Sequence, residues 1–267
     1  MKVQFEEMFP WQFAEAIAEA RICYLPIGTL EWHGEHNALG LDAIKAHAVC
    51  VRAAQQSGGI VVPPLYWATD TREELGDGRY LTGGVEHGER YHVPGNMYWI
   101  RRETYHSLLM DIYEAMRRRG FQVIVVVSGH WPEATLSVVR ASGEEFVKRH
   151  GNVGWLLVTD QEVAADQGYM HEHAAGGETS LLMAIRPELV DLSKTLETDG
   201  ELRPYYAAEP QHIDRRGNTE HKYIGVFTAS ADGSNDPEVA ASEERGKMLL
   251  EVISNRIAER ARGLLRQ

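Results

Sequence analysis

Cysteine is almost missing from this 267-residue chain, which has only Cys23 and Cys50. Two cysteines exclude a disulfide framework, and neither has the close Cys or His spacing of a zinc knuckle, so a reducing compartment fits best. Long apolar runs are missing as well: no stretch of about 18 uninterrupted apolar residues occurs, which excludes a conventional membrane span. The opening Met1-Lys2-Val3-Gln4-Phe5-Glu6-Glu7 has no basic region followed by an apolar one, so no export is expected and the cytoplasm is the expected location. Basic charge is scarce relative to acidic, with 27 Lys and Arg against 39 Asp and Glu and a formal net charge of −12. That balance is a poor footprint for phosphate backbones or anionic lipid, so neither nucleic acid nor membrane is an expected partner and a small-molecule substrate is.

Hydrophobic residues make up 43% and charged residues 25%, near the averages of a soluble globular chain, so the sequence folds rather than remaining disordered. Apolar runs at 22–27, 60–62, 123–127 and 155–158 have the length and β-branching of buried parallel strands. Helical periodicity lies between them, over 43–56, 105–119 and 134–148, and a last helix is expected over 238–265 with Val239, Met248, Leu249, Val252 and Ile257 facing the core. Strand alternating with helix predicts an α/β fold, three α/β/α layers around a mostly parallel sheet, in a single domain spanning 1–267. In such sheets the ligand site belongs at the carboxyl ends of the strands. Two polar segments, 69–94 and about 192–223, break the rhythm and are expected to roof that site.

Histidine is abundant at 12 residues, and several stand beside carboxylates. Directly after the first strand comes Gly28-Thr29-Leu30-Glu31-Trp32-His33-Gly34-Glu35-His36, with Asp42 opening the next helix. Glu31 and His33, two apart, project to one side of an extended stretch, and Asp42 can return to that side. A carboxylate, an imidazole and a carboxylate able to bridge suit a pair of divalent ions such as zinc or manganese, with ferrous iron also compatible. The same spacing also suits a capping Asp42 beside two solvated loop residues. A second cluster, Ser128-Gly129-His130-Trp131-Pro132-Glu133, turns from the most Val-rich strand into a helix. A third, from His171-Glu172-His173 through Gly176-Gly177 to Glu178-Thr179-Ser180, follows a strand-like run and precedes an apolar helix expected from Leu181. Its small residues allow close backbone approach, and Glu178 suits either a cap or a metal, whereas Glu172 is expected to be solvated.

In order, these motifs resemble the creatininase (creatinine amidohydrolase) family: Leu25 to His36 with Asp42, then Gly84-Val85-Glu86-His87 and Pro94-Gly95, then Ser128-Gly129-His130, then His173 to Ser180. The resemblance implies an α/β/α fold, a two-metal hydrolase site and a homo-oligomer, often a hexamer. Carried over by position, it implies that Glu31 and His130 bind one metal, His33 the other, and Asp42 both. Creatininase itself has a metal-binding Glu two residues after the strand-end His, where this chain has Pro132, so Glu133 or Glu178 must supply that ligand, and Glu178 has the family spacing. Asn37-Ala38 replaces the usual Leu-Pro, and Asn96 stands where many relatives carry Thr, which weakens the case for creatinine itself.

The expected reaction is hydrolysis of a cyclic amide C–N bond in a small polar molecule by a metal-bridging hydroxide. His173 is the candidate proton shuttle and Glu178 its companion at the catalytic centre. The alternative is hydrolysis of a C–C bond in a cyclic diketone such as an oxidised inositol. Trp131, Glu133, Tyr80 and Asn96 are candidate substrate contacts, and Trp131 and Trp32 could wall a flat ring or simply pack. A metal-storing protein and a deformylase of a nucleotide precursor are the further readings.

Overall fold

The structure, a computed structural model, describes residues 2–69, 72–74, 80–82, 85–87, 100–170, 172–195, 200–201, 212–213 and 233–265. The chain runs through helix α1 (Pro10–Glu19), strand β1 (Ile22–Ile27), α2 (Leu41–Ser57) and β2 (Ile60–Val61). Short strands β3 (Arg72–Glu74), β4 (Tyr80–Thr82) and β5 (Val85–His87) follow, then α3 (Arg102–Arg118), β6 (Val123–Ser128), α4 (Glu133–Arg149) and β7 (Gly154–Thr159). The remaining elements are α5 (Asp160–Val163), α6 (Gly176–Ile185), β8 (Gly200–Glu201), β9 (His212–Ile213), α7 (Pro237–Ala240) and α8 (Glu243–Leu265).

Four strands form one parallel sheet in the order β2-β1-β6-β7. The register pairs Ile22 with Val123 through Ile27 with Ser128, and Ser128 in turn with Thr159, so three strands end level. Successive side chains alternate between two apolar layers, as the period of a strand requires. Ile22, Tyr24, Val123, Val125 and Val127 face α2 and α8. Cys23, Leu25, Ile124 and Val126 face the layer of Tyr105, Leu109, Tyr113, Val139 and Phe146 from α3 and α4. This is the expected α/β/α arrangement.

Several expectations are corrected in detail. Helix α1 was not foreseen; its buried contribution is Ala16, and the apolar Phe9 and Trp11 at its start are 60% and 59% exposed. The last helix begins at Glu243, because Asp236-Pro237 opens a separate short turn, α7, and the chain is extended at Ala241. Its inward face is Gly246, Leu249, Leu250, Ile253, Ile257 and Ala261, so Val239 and Met248 lie outside the core. No strand immediately precedes the third His cluster among the described residues, and α6 starts at Gly176 rather than at Leu181. The polar segment 69–94 contains a three-stranded antiparallel sheet, β3-β4-β5. Most of 192–223, and Asn96, lie outside the described residues.

Candidate metal centre

The level carboxyl ends of β1, β6 and β7 release three loops side by side, and each begins with chemistry. After β1 come Glu31 and His33, after β6 comes His130, and directly after β7 comes Asp160. Asp42 reaches the same point because the first turn of α2 is pressed against two strand ends. A Cβ on Gly28 would stand 2.3 Å from the Ala43 nitrogen, and one on Gly129 would stand 2.2 Å from the Asp42 carbonyl oxygen. No residue larger than glycine allows that approach, so these two glycines set where the Asp42 carboxylate sits.

The carboxylate of Asp42 divides its oxygens between two histidines. Oδ1 lies 3.1 Å from His33 Nε2, and Oδ2 lies 3.1 Å from His130 Nδ1. Glu31 Oε2 is also 3.1 Å from His130 Nδ1, and Glu178 Oε2 is 3.8 Å from His33 Nε2. Two ligand sets result, Glu31–Asp42–His130 and His33–Asp42–Glu178, each with its donor atoms within 4.8 Å of one another. The sets share Asp42. Glu31, His33 and His173 form a third such group.

Hydrogen bonding fixes the tautomer of His33. Its Nδ1 lies 3.1 Å from the Glu31 carbonyl oxygen, which can only accept, so Nδ1 carries the proton. Nε2 of the neutral ring then turns a lone pair on two carboxylates, an arrangement that requires a cation between them: a proton or a metal. Burial alone would lower His33 and His130, but the facing carboxylates outweigh it and raise them to about 9 and about 10. The same pairing holds Asp42 well below the usual carboxylate range, against the upward push of burial. Five buried or nearly buried carboxylates, of Glu31, Asp42, Asp160, Glu172 and Glu178, gather here, and Lys45 lies at ion-pair distance from three of them, Asp42, Asp160 and Glu178. Divalent cations fit this donor set and its charge.

Behind the ligands lies a buried polar layer absent from the sequence reading. Lys45, one turn after Asp42, is fully buried, bonded to Glu178 Oε1 and 3.4 Å from Asp160 Oδ2. Asp160 accepts from Trp131 Nε1 at 2.6 Å and from the Tyr169 hydroxyl at 3.0 Å. Glu172 is buried, not solvated: it accepts from the Glu178 backbone N–H at 2.6 Å and from the Asn235 amide. Burial, and next the nearby Glu178, push its carboxyl up to about 7. Gly177 makes room for it, since a Cβ there would stand 2.4 Å from Glu172 Oε1. Asp160 stands directly after a strand end, a signal that could have found it; Lys45, a charged residue within a helix, and Tyr169 left none.

The structure therefore brings together Glu31, His33, Asp42, His130, His173 and Glu178. His173 packs on His33, ring centroids 4.4 Å apart with the planes tilted by 34°, and its Nε2 donates to the Trp32 carbonyl at 2.9 Å. Glu133 is elsewhere: its side chain is 71% exposed and pairs with Arg140 at 2.8 Å, because the first turn of α4 points it to solvent. Trp131 turns its indole N–H to Asp160 and its ring to Lys45 Nζ, 3.9 Å away, so its role in the described structure is packing behind the ligands. Trp32 is buried. Tyr80 lies in β4, and Asn96 and His171 lie outside the described residues. Asn37 ties the loop to α6 through Thr179 Oγ1 at 3.0 Å.

Comparison with known proteins identifies the family and the fold. The family model for creatininase, described as creatinine amidohydrolase, matches residues 6–261. A creatinine amidohydrolase of Pseudomonas putida is 27% identical over 94% of both chains. Among solved structures, a Glu-to-Gln variant of creatininase complexed with creatine is 24% identical, with a TM-score of 0.70 over 98% of both chains. The same kind of variant in a Zn–Zn form is 23% identical, again with a TM-score of 0.70 over 98% of both chains. No described helix is long and apolar enough to cross a membrane. With a family model covering nearly its whole length and the acidic, histidine-rich centre at the strand ends, this chain belongs to the creatininase family of metal-dependent hydrolases.

Proposed function

We propose that the chain is a dinuclear amidohydrolase that opens a cyclic amide in a small, polar, creatinine-like molecule. The observation that carries this reading is the split carboxylate of Asp42, one oxygen toward each ligand set. Glu31, Asp42 and His130 would hold one divalent ion and His33, Asp42 and Glu178 the other, zinc or manganese by donor type, and such a pair supplies Lewis acidity and a water acidified to near neutrality. The chain's own residues do the rest. The Nδ1 proton of His33, held by the Glu31 carbonyl, keeps Nε2 turned toward the shared carboxylate. His173 moves the proton: Nε2–H is committed to the Trp32 carbonyl, so Nδ1 is the basic nitrogen of the neutral ring. Burial, and next the neighbouring His33, lower its pKa, so the ring is neutral at pH 7 and can accept a proton and return it to the leaving nitrogen.

A second reading rests on Pro132. It opens α4 and has no ligating atom, and Glu178 comes from a different helix, so the wall beside the second ion differs in origin from that of creatininase itself. That difference favours a substrate other than creatinine, and C–C hydrolysis of a cyclic diketone such as an oxidised inositol suits the same pair of cations. The whole chain is read as one domain in a reducing, cytoplasmic setting, with Cys23 and Cys50 both buried as free thiols, and as a homo-oligomer, six copies being the expected number.

Product analysis on a panel of lactams, creatinine included, and of ketoinositols separates the two reactions. Opening of a C–N bond is expected; a keto acid formed from a diketone, with no amide turned over, overturns the amide reading. Elemental analysis tests the bridge: Asp42→Ala is expected to lose both ions, and retention of two would refute it.

A further inference from the structure

Among the described residues, Ala174 is the only one other than glycine with a left-handed backbone, φ 56°, and it stands fully buried directly after His173. A side chain disfavours that conformation, which persists only where neighbours hold the residue on both sides. They do so here. On the amino side the Ala174 N–H donates to Glu178 Oε2 at 2.7 Å. On the carboxyl side its carbonyl oxygen lies 3.0 Å from His36 Nε2, and the Thr179 hydroxyl reaches the same oxygen at 3.4 Å. A carbonyl can only accept, so His36 Nε2 carries the proton. His36 is buried and its own place is fixed: the Asp191 N–H donates to its carbonyl at 2.9 Å, and the adjacent Asn37 bonds Thr179 Oγ1 at 3.0 Å. The loop after β1 thus grips the His173 segment twice, with the Trp32 carbonyl on the ring and with His36 on the peptide that follows.

Resting on the reading of His173 as the proton carrier, we propose that His36 is a positioning residue for it: the His36 Nε2–H holds the Ala174 carbonyl, keeps Ala174 left-handed and so keeps the His173 ring over His33 with Nε2 bound to Trp32 and Nδ1 as the basic nitrogen. Without that donor the Ala174 carbonyl is left with the longer Thr179 contact. Relaxation of Ala174 to negative φ then turns the peptides on either side of it and carries the imidazole off the Trp32 carbonyl. A misplacement of ~1 Å at a reacting group costs about a hundredfold in rate. Glu31, His33, Asp42 and His130 are placed by other elements and Glu178 keeps its bond to Lys45, so His36 acts on the rate and not on the metal content.

The test combines nitrogen magnetic resonance of the zinc-loaded, isotope-labelled protein, which reports the tautomer of each imidazole, with kinetics on creatinine and the other lactams of the panel. His36 and His173 are both expected as Nε2–H tautomers, their signals assigned by loss in His36→Phe and His173→Gln. His36→Phe keeps the ring and deletes the donor; it is expected to lower kcat about ten- to a hundredfold with KM and zinc content unchanged, and to release His173 from its single tautomer. Two rescues are expected. His36→Gln, which sets an amide N–H near the place of Nε2, should restore most of the rate. So should Ala174→Gly added to His36→Phe, because glycine holds a φ of 56° without strain. A histidine that only filled space would be rescued by neither. The inference is overturned if His36 carries its proton on Nδ1 in the unaltered protein, if a folded His36→Phe keeps the parent rate and the His173 tautomer, or if both rescues fail. The tautomer of His36 and the glutamine variant decide the matter even if His36→Phe does not fold. Should His173→Gln turn over at the parent rate, the proton-carrier reading itself fails; a slow His173→Gln beside a fully active His36→Phe sinks the positioning role alone.

Discussion

Gly129→Ala adds one methyl group, and the structure says where it must go. Its carbon would stand 2.2 Å from the Asp42 carbonyl oxygen, 2.9 Å from the Asp42 carbonyl carbon and 3.0 Å from Lys45 Cε. Real contacts of this kind lie beyond 3.0 Å, so roughly 1 Å must be found by moving the start of α2 away from the end of β6. Overpacking of this size costs about 1–3 kcal/mol. The larger consequence is functional, since the moved segment carries Asp42, whose two oxygens stand 3.1 Å from two histidines. A displacement of ~1 Å at a positioned group is enough to cost about a hundredfold in rate. Thermal melts with and without metal, metal titration and turnover should therefore show a modest loss of stability and a disproportionate loss of metal affinity and kcat. Gly263→Ala is the control. It lies exposed on α8 with nothing within 4 Å of an added methyl, and is expected to stabilise by about 0.5–1 kcal/mol with metal affinity unchanged. If Gly129→Ala melts with the parent protein and binds both ions as tightly, the contact between strand end and helix start does not position Asp42, and the reasoning is wrong.

Two further outcomes are expected. His173→Gln should lower kcat by about 10²–10⁴-fold with metal content unchanged, measured by steady-state kinetics beside elemental analysis; loss of metal would make His173 a ligand rather than a proton carrier. Stability of the metal-free protein should fall as pH rises. Against burial, the facing carboxylates raise His33 to about 9 and His130 to about 10, above an ordinary value of about 6.5. A group raised in the folded state stabilises fully below its unfolded value and loses that contribution as pH climbs through its folded one. Melting temperature of the stripped protein should thus decline between about pH 7 and pH 10, and added zinc should remove most of the decline, because a metal replaces the protons. A flat profile without metal would show that the imidazoles are not charged by their neighbours.

Much of the fold was legible because the sheet is buried on both faces. Its strands are uninterrupted β-branched runs, and 22–27 was located to the residue. The failures have physical causes. Helix α1 packs Phe13, Ala16 and Ile17 on the core at helical spacing, a short signal that the reading of the longer alternating runs passed over. At the last helix, Val239 and Met248 are apolar yet exposed, and the face that packs is made partly of small residues, Gly246, Ser254, Ala258 and Ala261, that hydropathy does not mark. In the site, residues announced by strand-end placement, Glu31, His33 and His130, came together as expected, and so did Asp42 and Glu178 from helix starts. Lys45 and Glu172 were hidden because a charged residue reads as solvated until its partner is known, and those partners are 133 and 6 residues away in the chain. Glu133, conversely, stood beside the right histidine but one position around the helix from any path inward.

Glu178 stands on α6 rather than beside His130 on the helix after β6, and that placement ties it to distant parts of the molecule. A glutamate on α4 would be placed by the strand that precedes it, whereas Glu178 is placed by whatever holds α6. That is largely α8: a Cβ on Gly246 would stand 1.8 Å from the Ser180 carbonyl oxygen, and the Ser242 N–H donates to Ser180 Oγ at 3.0 Å. Gly176 is similarly pressed on Ala240, and Arg245 reaches Asn235, which in turn bonds Glu172 beneath Glu178. The placement of Glu178 therefore depends on the docking of the C-terminal helix. Glu31, Asp42 and His130 are fixed by β1, β6 and the helix start wedged between them, elements whose backbones are tied in register over six residue pairs. Helix α8 also packs on α2, which carries Asp42, so loosening of α8 is expected to disturb Asp42 together with Glu178 and to weaken the whole centre.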